Sequence, residues 1–255
     1  MSTALITGAS SGLGEAFARK LSRMGFRLIL VARRRDRLEN LAAELRNADV
    51  VTADLMAEPG LSTVEKRIAS EPGLELLVNN AGFGRNGAFH ESPLEIQDGM
   101  HRLHIIAIER LTHAALRGMV ERHKGSIINV SSVAGFATAP FSVSYSATKA
   151  WINSFTEGLH LEMKAIHSPV RVQALCPGFT YTEFHDTAGM DRGLIPRFLW
   201  MSADEVVDAS LRALERGKLF VVPGLPYKLL VTLYPLVPRP LRHRLSIRYA
   251  NARQR

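Results

Sequence analysis

Ser2-Thr-Ala-Leu-Ile-Thr7 runs directly into Gly8-Ala9-Ser10-Ser11-Gly12-Leu13-Gly14, and this stretch decides the fold of the 255-residue chain. The first six residues read as a short apolar strand, and the residues from Gly12 onward carry a helical pattern. The glycines therefore fall in a strand-to-helix turn rather than in a flexible loop. Gly8 permits the tight turn, Gly12 lets the backbone approach a pyrophosphate, and Gly14 allows the helix to pack closely. Phosphates would then lie over the helix N-terminus, where unpaired N–H groups and the helix dipole favour anions.

Outward from this turn the chain alternates strand and helix, the pattern of a parallel sheet covered on both faces. Strands are expected at 3–7, 27–32, 49–53, 75–79, 125–131, 169–175 and 219–222. Helices fit 12–25, 35–47, 60–70, 93–123 with a break, 144–167 and 202–216. The expected class is α/β, a Rossmann-like doubly wound parallel sheet flanked by helices. One dinucleotide-binding and catalytic domain spans 1–222, and 223–255 is a basic, helical, amphipathic extension. There is no Ser/Gly linker, low-complexity tract or repeat of fixed period. Ligands in such sheets bind beyond the carboxyl ends of strands, and Gly8, Arg33, Asp54, Ala81, Ser132 and Gly178 all fall there. The lone Cys176 reads as a buried structural thiol. Strand one starts at once, leaving no room for a signal peptide, and a reducing cytoplasm is the expected compartment.

A second feature concerns proton chemistry. Tyr145 and Lys149 are one helical turn apart on one face, and Ser132 ends a Val-rich strand upstream. A free Tyr ionises near pH ~10, and a close ammonium in a poorly solvated cleft favours the phenolate. This pairing predicts a phenol tuned for acid/base work near neutrality.

In motif order the chain resembles the short-chain dehydrogenase/reductase family over nearly its whole length. Thr7 to Gly14 matches the family's dinucleotide turn, with Gly8, Ser10, Ser11, Gly12, Leu13 and Gly14 at the cofactor. Asp54-Leu55 matches its adenine-side acidic residue, and Asn79-Asn80-Ala81-Gly82 the end of its fourth strand. Asn129-Val-Ser-Ser132 with Tyr145-Ser-Ala-Thr-Lys149 matches its active site. Pro177-Gly178-Phe179-Thr180 with Thr182 matches its nicotinamide-side loop. The resemblance implies that Ser132 hydrogen-bonds the substrate oxygen, Tyr145 exchanges the proton, and Lys149 holds the nicotinamide ribose while acidifying Tyr145. Ser131 is the neighbouring alternative, but strand alternation turns only one of the two to the cleft, and the spacing to Tyr145 selects Ser132. It also implies a homo-oligomer, dimer or tetramer, paired through the helices holding His104 and Tyr145.

The second strand bears on the cofactor. Leu28-Ile-Leu-Val-Ala32 leads into Arg33-Arg34-Arg35, where an NAD-preferring protein usually places a carboxylate for the ribose hydroxyls. Arg33, with Arg34 beside it, suits the extra phosphate of NADP. NADP(H) is therefore the preferred cofactor, with NAD(H) as the alternative.

One family residue is replaced. His104 stands where the resemblance places an Asn that props a water linking the Lys to solvent. Either a relay survives through the imidazole or His104 merely packs between helices. His101, His104 and His113 lack the carboxylate pattern of a metal site, and no metal is expected.

The substrate side is less legible. Phe184, Leu194, Ile195, Phe198 and Trp200, mixed with Gly189 and Gly193, suit a lid over an apolar pocket. Phe83, Phe136 and Phe141 would add aromatic wall. A bulky or long-chain ketone, aldehyde or alcohol is the expected substrate class.

The formal net charge is +8, and nine Lys/Arg but no Asp/Glu follow Glu215. The tail either lies on an anionic membrane surface or docks on the body or on a partner subunit with its Arg face wet. Three prolines and Lys228 make 219–237 a poor membrane span, and without a recognition module the tail is not expected to bind nucleic acid. The favoured function is an NADP-dependent carbonyl reductase or alcohol dehydrogenase. The alternative is a non-catalytic dinucleotide-binding regulator.

Overall fold

The computed structural model describes residues 1–184 and 195–253. Seven parallel strands form one sheet in the order β3-β2-β1-β4-β5-β6-β7. They are β1 Thr3–Thr7, β2 Arg27–Ala32, β3 Ala48–Thr52, β4 Leu74–Asn79, β5 Ser126–Val130, β6 Arg171–Leu175 and β7 Phe220–Val221. The chain winds outward from β1 through β3 and then crosses back to β4, so the order reverses between β1 and β4. Every residue of β1 is buried, as befits a strand covered on both faces.

Strand alternation sends Ala4 and Ile6 to one face and Leu5 to the other. On the first face they meet Phe17 and Leu21 of α1 (Gly12–Arg23), Leu38 and Leu41 of α2 (Arg35–Glu44), and Val206 and Leu211 of α7 (Ala203–Glu215). The second face packs against Val64 of α3 (Glu58–Ala69), Leu111 of α5 (Ala107–Glu121) and Met163 of α6 (Val143–Ala165).

The expected elements are present with shifted ends. Helix α1 stops at Arg23 because Gly25 takes φ +86°, the left-handed turn that ends helices. The chain leaves α2 at Leu45 and turns at Asn47, φ +58°. Helix α7 is fixed by a capping box in which Ser202 and Glu205 satisfy each other's backbone N–H. The break expected within 93–123 is a π-turn, Arg102–Ile106, that joins α4 (Leu94–His101) to α5 without interruption. After β7 come α8 (Leu225–Leu233), a 3-10 turn at Tyr234–Leu236 and α9 (Arg239–Arg253). No helix among the described residues is long and apolar enough to cross a membrane.

Candidate active site

Where strand order reverses, Thr7 and Asn80 staple the carboxyl ends of β1 and β4. Thr7 Oγ1 accepts from the Asn80 and Ala81 backbone N–H groups at 3.0 Å each, and Asn80 Nδ2 donates to the Thr7 carbonyl at 2.9 Å. Gly8 and Gly12 hold φ +66° and +58°, conformations that side chains rarely adopt. Gly14 meets the Gly8 carbonyl so closely that an added Cβ would lie 2.2 Å from its oxygen. Gly14 thus does the packing expected of it and does not line the cleft. Helix α1 points its N-terminus into a cleft of about 960 Å³ lined by Gly8, Ser10, Ser11, Gly12 and Leu13.

The same cleft gathers the other expected cofactor residues: Arg33, Asp54, Leu55, Asn80, Ala81, Gly82, Pro177, Gly178, Phe179, Thr180 and Thr182. Ser132, Tyr145 and Lys149 line it as well. A glycine turn at positive φ, a helix N-terminus and a guanidinium rim fit a dinucleotide diphosphate.

Ser131 and Ser132 follow the end of β5 and both line the cleft, but their hydroxyls make different contacts. The Ser132 hydroxyl lines the cleft beside Tyr145, donates to the Pro177 carbonyl at 3.5 Å and accepts from the Ala134 N–H at 3.1 Å. The Ser131 hydroxyl is buried and donates to the Lys149 carbonyl at 3.0 Å. Lys149 Nζ donates to the Val130 carbonyl at 2.8 Å and lies 5.6 Å from the centre of the Tyr145 ring.

The electrostatics differ from the expectation of an acidified phenol. Burial pushes Tyr145 up to about 12, outweighing the lowering by the Ser132 hydroxyl. Burial also lowers Lys149 to about 8. Desolvation dominates because the ammonium faces the Val130 carbonyl rather than the phenol oxygen. In this geometry Tyr145 holds its proton at neutral pH. Cys176 is buried and inert, its thiol pushed up to about 12 by burial.

His104 is fully buried in the π-turn, with both ring nitrogens engaged. Nε2 accepts from the Phe83 backbone N–H at 3.2 Å, so the remaining proton sits on Nδ1, 2.9 Å from Thr148 Oγ1. Thr148 Oγ1 in turn donates to the Tyr145 carbonyl at 2.9 Å. The imidazole therefore joins the strand-four loop to the helix carrying Tyr145 and Lys149. Burial first, then the charges of Lys149 and His101, hold its pKa well below the usual imidazole value, so it stays neutral. Among the described residues no His/Cys/Asp/Glu group could hold a metal.

At the end of β2 the roles of the arginines differ. Arg33 is exposed on the rim. Arg34 folds over the glycine turn, donating to Ser10 Oγ at 3.1 Å and Ser11 Oγ at 2.8 Å. It also pairs with Glu183 at 2.9 Å, and Arg37 reaches the same carboxylate at 2.6 Å. Asp54 accepts from the Met56 N–H at 3.0 Å, which fixes its loop at the cleft.

Sequence reasoning missed Tyr227. This residue of α8 is buried, and its hydroxyl accepts from the Phe179 N–H at 3.0 Å and donates to the Leu199 carbonyl at 2.5 Å. Its ring fills the space beside Gly178, where an added Cβ would fall 2.1 Å from the ring. Tyr227 shares its proline-flanked apolar run with Tyr234, and nothing in that pattern singles it out.

Phe83, Phe141, Phe179 and Phe184 line the cleft. Phe184 lies 5.8 Å from the Tyr145 ring. Phe136 does not join this wall: it packs edge-on against Phe220 at 5.7 Å, in a cluster with Cys176 and Tyr227. Ile195 and Trp200 are buried and Phe198 is exposed. Gly189, Gly193 and Leu194 of the expected lid lie outside the described residues.

The sequence profile of short chain dehydrogenase matches residues 2–193. The chain belongs to the short-chain dehydrogenase family, NAD(P)-dependent oxidoreductases on a Rossmann-like sheet. It is similar to a short-chain dehydrogenase from Sphingobium yanoikuyae solved with NADPH, 37% identical over 88% of this chain and 89% of that one, TM-score 0.83. It is also similar to the bulky-bulky ketone specific alcohol dehydrogenase from Comamonas testosteroni, 36% identical over 88% and 87% of the two chains, TM-score 0.79. Very-long-chain 3-oxoacyl-CoA reductase of Anas platyrhynchos is 34% identical over 191 residues, 71% of this chain and 60% of that protein.

Proposed function

We propose that the chain is an NADP(H)-preferring carbonyl reductase or alcohol dehydrogenase acting on a bulky apolar ketone, aldehyde or alcohol. The observation that carries this reading is the meeting of the Ser132 hydroxyl, the protonated Tyr145 phenol and the Lys149 ammonium in a cleft walled by Phe83, Phe141 and Phe184. The relatives' NADPH complex and bulky-ketone activity support the same direction.

Bound in the cleft, the dinucleotide supplies a hydride to the carbonyl carbon or takes one from the alcohol carbon. Gly8 to Leu13 would hold its diphosphate at the α1 N-terminus, and Asp54 with Leu55 would bound the adenine. Arg33 and Arg34 would take the extra phosphate. Pro177 to Thr182, with Asn80 to Gly82, would flank the nicotinamide half. Ser132 positions the substrate oxygen, and Tyr145 gives its O–H proton to that oxygen as negative charge develops there. In the oxidative direction the phenolate takes the proton back. Lys149 would hold the nicotinamide ribose, its Nζ kept 5.6 Å from the centre of the Tyr145 ring by the bond to the Val130 carbonyl.

The chain works as a homo-oligomer in a reducing cytoplasm, pairing through α5 and α6. The outer side of α6 carries the stacked Trp151–Phe155 pair and an exposed Leu161.

Purified protein with NADPH and a panel of carbonyl compounds tests the reading through loss of reduced-nicotinamide absorbance. Turnover of bulky apolar ketones, slower with NADH, is expected. Arg33→Asp should move the preference toward NADH. NAD bound as tightly as NADP, with Arg33→Asp indifferent, rejects the cofactor assignment.

A further inference from the structure

Helix α8 is apolar on two opposite sides, and only one of them is covered. Tyr227 anchors the inner side, buried beneath Gly178 and Phe179. The outer side repeats leucine one turn apart at Leu225, Leu229 and Leu233, exposed by 68%, 52% and 54%, and continues to Leu236 at 76%. A helix facing water carries polar residues there. Helix α9 adds exposed Leu241 and Leu245 together with Arg239, Arg244 and Arg248. No carboxylate follows Glu215 anywhere in the sequence.

We propose that α8 and α9 form a docking face for an anionic lipid surface. The exposed leucines would enter the acyl boundary and the arginines would meet the head groups. A second copy fits this face poorly. A two-fold contact sets the same patch against itself, bringing arginines onto arginines with no acid to pair them. Helix α8 has nine residues, a length of about 14 Å against a hydrocarbon core of about 30 Å. The helices therefore lie on the membrane rather than cross it. Leu230 and Ala250 line the cleft on the inner side of the same two helices, so docking sets the mouth of the cleft at the lipid boundary.

Co-sedimentation of the full chain with vesicles tests this. Phosphatidylglycerol/phosphatidylcholine vesicles are expected to pellet the protein, less so as salt rises, while pure phosphatidylcholine leaves most of it in solution. Leu229→Ser/Leu233→Ser/Leu236→Ser and, separately, Arg239→Gln/Arg244→Gln/Arg248→Gln should each weaken partitioning by on the order of tenfold or more. Both variants change exposed side chains, so thermal unfolding and NADPH affinity should match the unsubstituted chain. Three results overturn the proposal: no pelleting with anionic vesicles, undiminished pelleting of both variants, or a dimer in sedimentation velocity that the leucine variant dissociates. The last would make this face an interface between copies. Vesicle binding is read without turnover, so failure of the redox assignment leaves this test intact.

Discussion

The Tyr227 hydroxyl accepts a hydrogen bond from the Phe179 backbone N–H at 3.0 Å, tying the C-terminal helices to the loop expected to face the nicotinamide. Tyr227→Phe keeps the ring but leaves the Phe179 N–H and the Leu199 carbonyl without this partner. A buried group deprived of its partner costs about 1–3 kcal/mol. Loss of stability on that scale, with KM for the cofactor raised more than kcat falls, is expected from denaturant unfolding and steady-state kinetics. Unchanged cofactor KM would show that the tie does not position the loop.

His104 should matter through its hydrogen bonds rather than its charge. Asn can accept from the Phe83 N–H and donate toward Thr148, so His104→Asn is expected to keep or raise turnover. His104→Phe strands the Phe83 N–H and should lose about 1–3 kcal/mol of stability. The folded chain keeps the imidazole neutral below the usual titration range. As pH falls below about 6.5 only the unfolded chain takes up this proton, so stability drops. Urea unfolding at pH 7.5 and 5.5 should show that drop in the parent protein and a smaller one in His104→Asn.

Lys149 is costly to the fold. Burial lowers its pKa from 10.5 to about 8, which corresponds to about 3 kcal/mol of stability withheld below pH 8. Between those pH values the unfolded chain keeps a charge that the folded chain sheds, so the penalty fades as pH rises toward 10.5. Lys149→Met should abolish turnover yet raise stability at pH 7. The gain is roughly 2 kcal/mol once the lost bond to the Val130 carbonyl is set against it. That gain should shrink toward pH 10. A destabilised variant at pH 7 would contradict this.

Glu183 holds Arg34 and Arg37 at the rim where a cofactor phosphate would bind. Its carboxylate competes with that phosphate, so Glu183→Gln should tighten NADPH binding by up to about fivefold, the scale of an exposed ion pair. Affinity for NADH should change less. Weaker NADPH binding would mean that Glu183 instead orders the arginines for the phosphate.

Much of the sheet and turn was legible because each rests on a local rule. Positive φ demands glycine at Gly8 and Gly12. Helical period sets Tyr145 above Lys149. What stayed hidden depends on distant contacts. The π-turn has no compositional signature, so it read as a break, and Tyr227 meets Phe179 across 48 positions of sequence. Phe136 follows a strand near the site, but which way it faces is set by Phe220. The direction of the Tyr145 shift depends on burial and on where Nζ points, and neither is a property of spacing.

The central claim is that the Tyr145 phenol is the proton donor, and Tyr145→Phe tests it most directly. NADPH-dependent reduction of a bulky ketone should fall by roughly 10²–10⁴-fold, with NADPH affinity and unfolding midpoint close to those of the parent protein. Turnover within a few-fold of the parent enzyme would contradict the account.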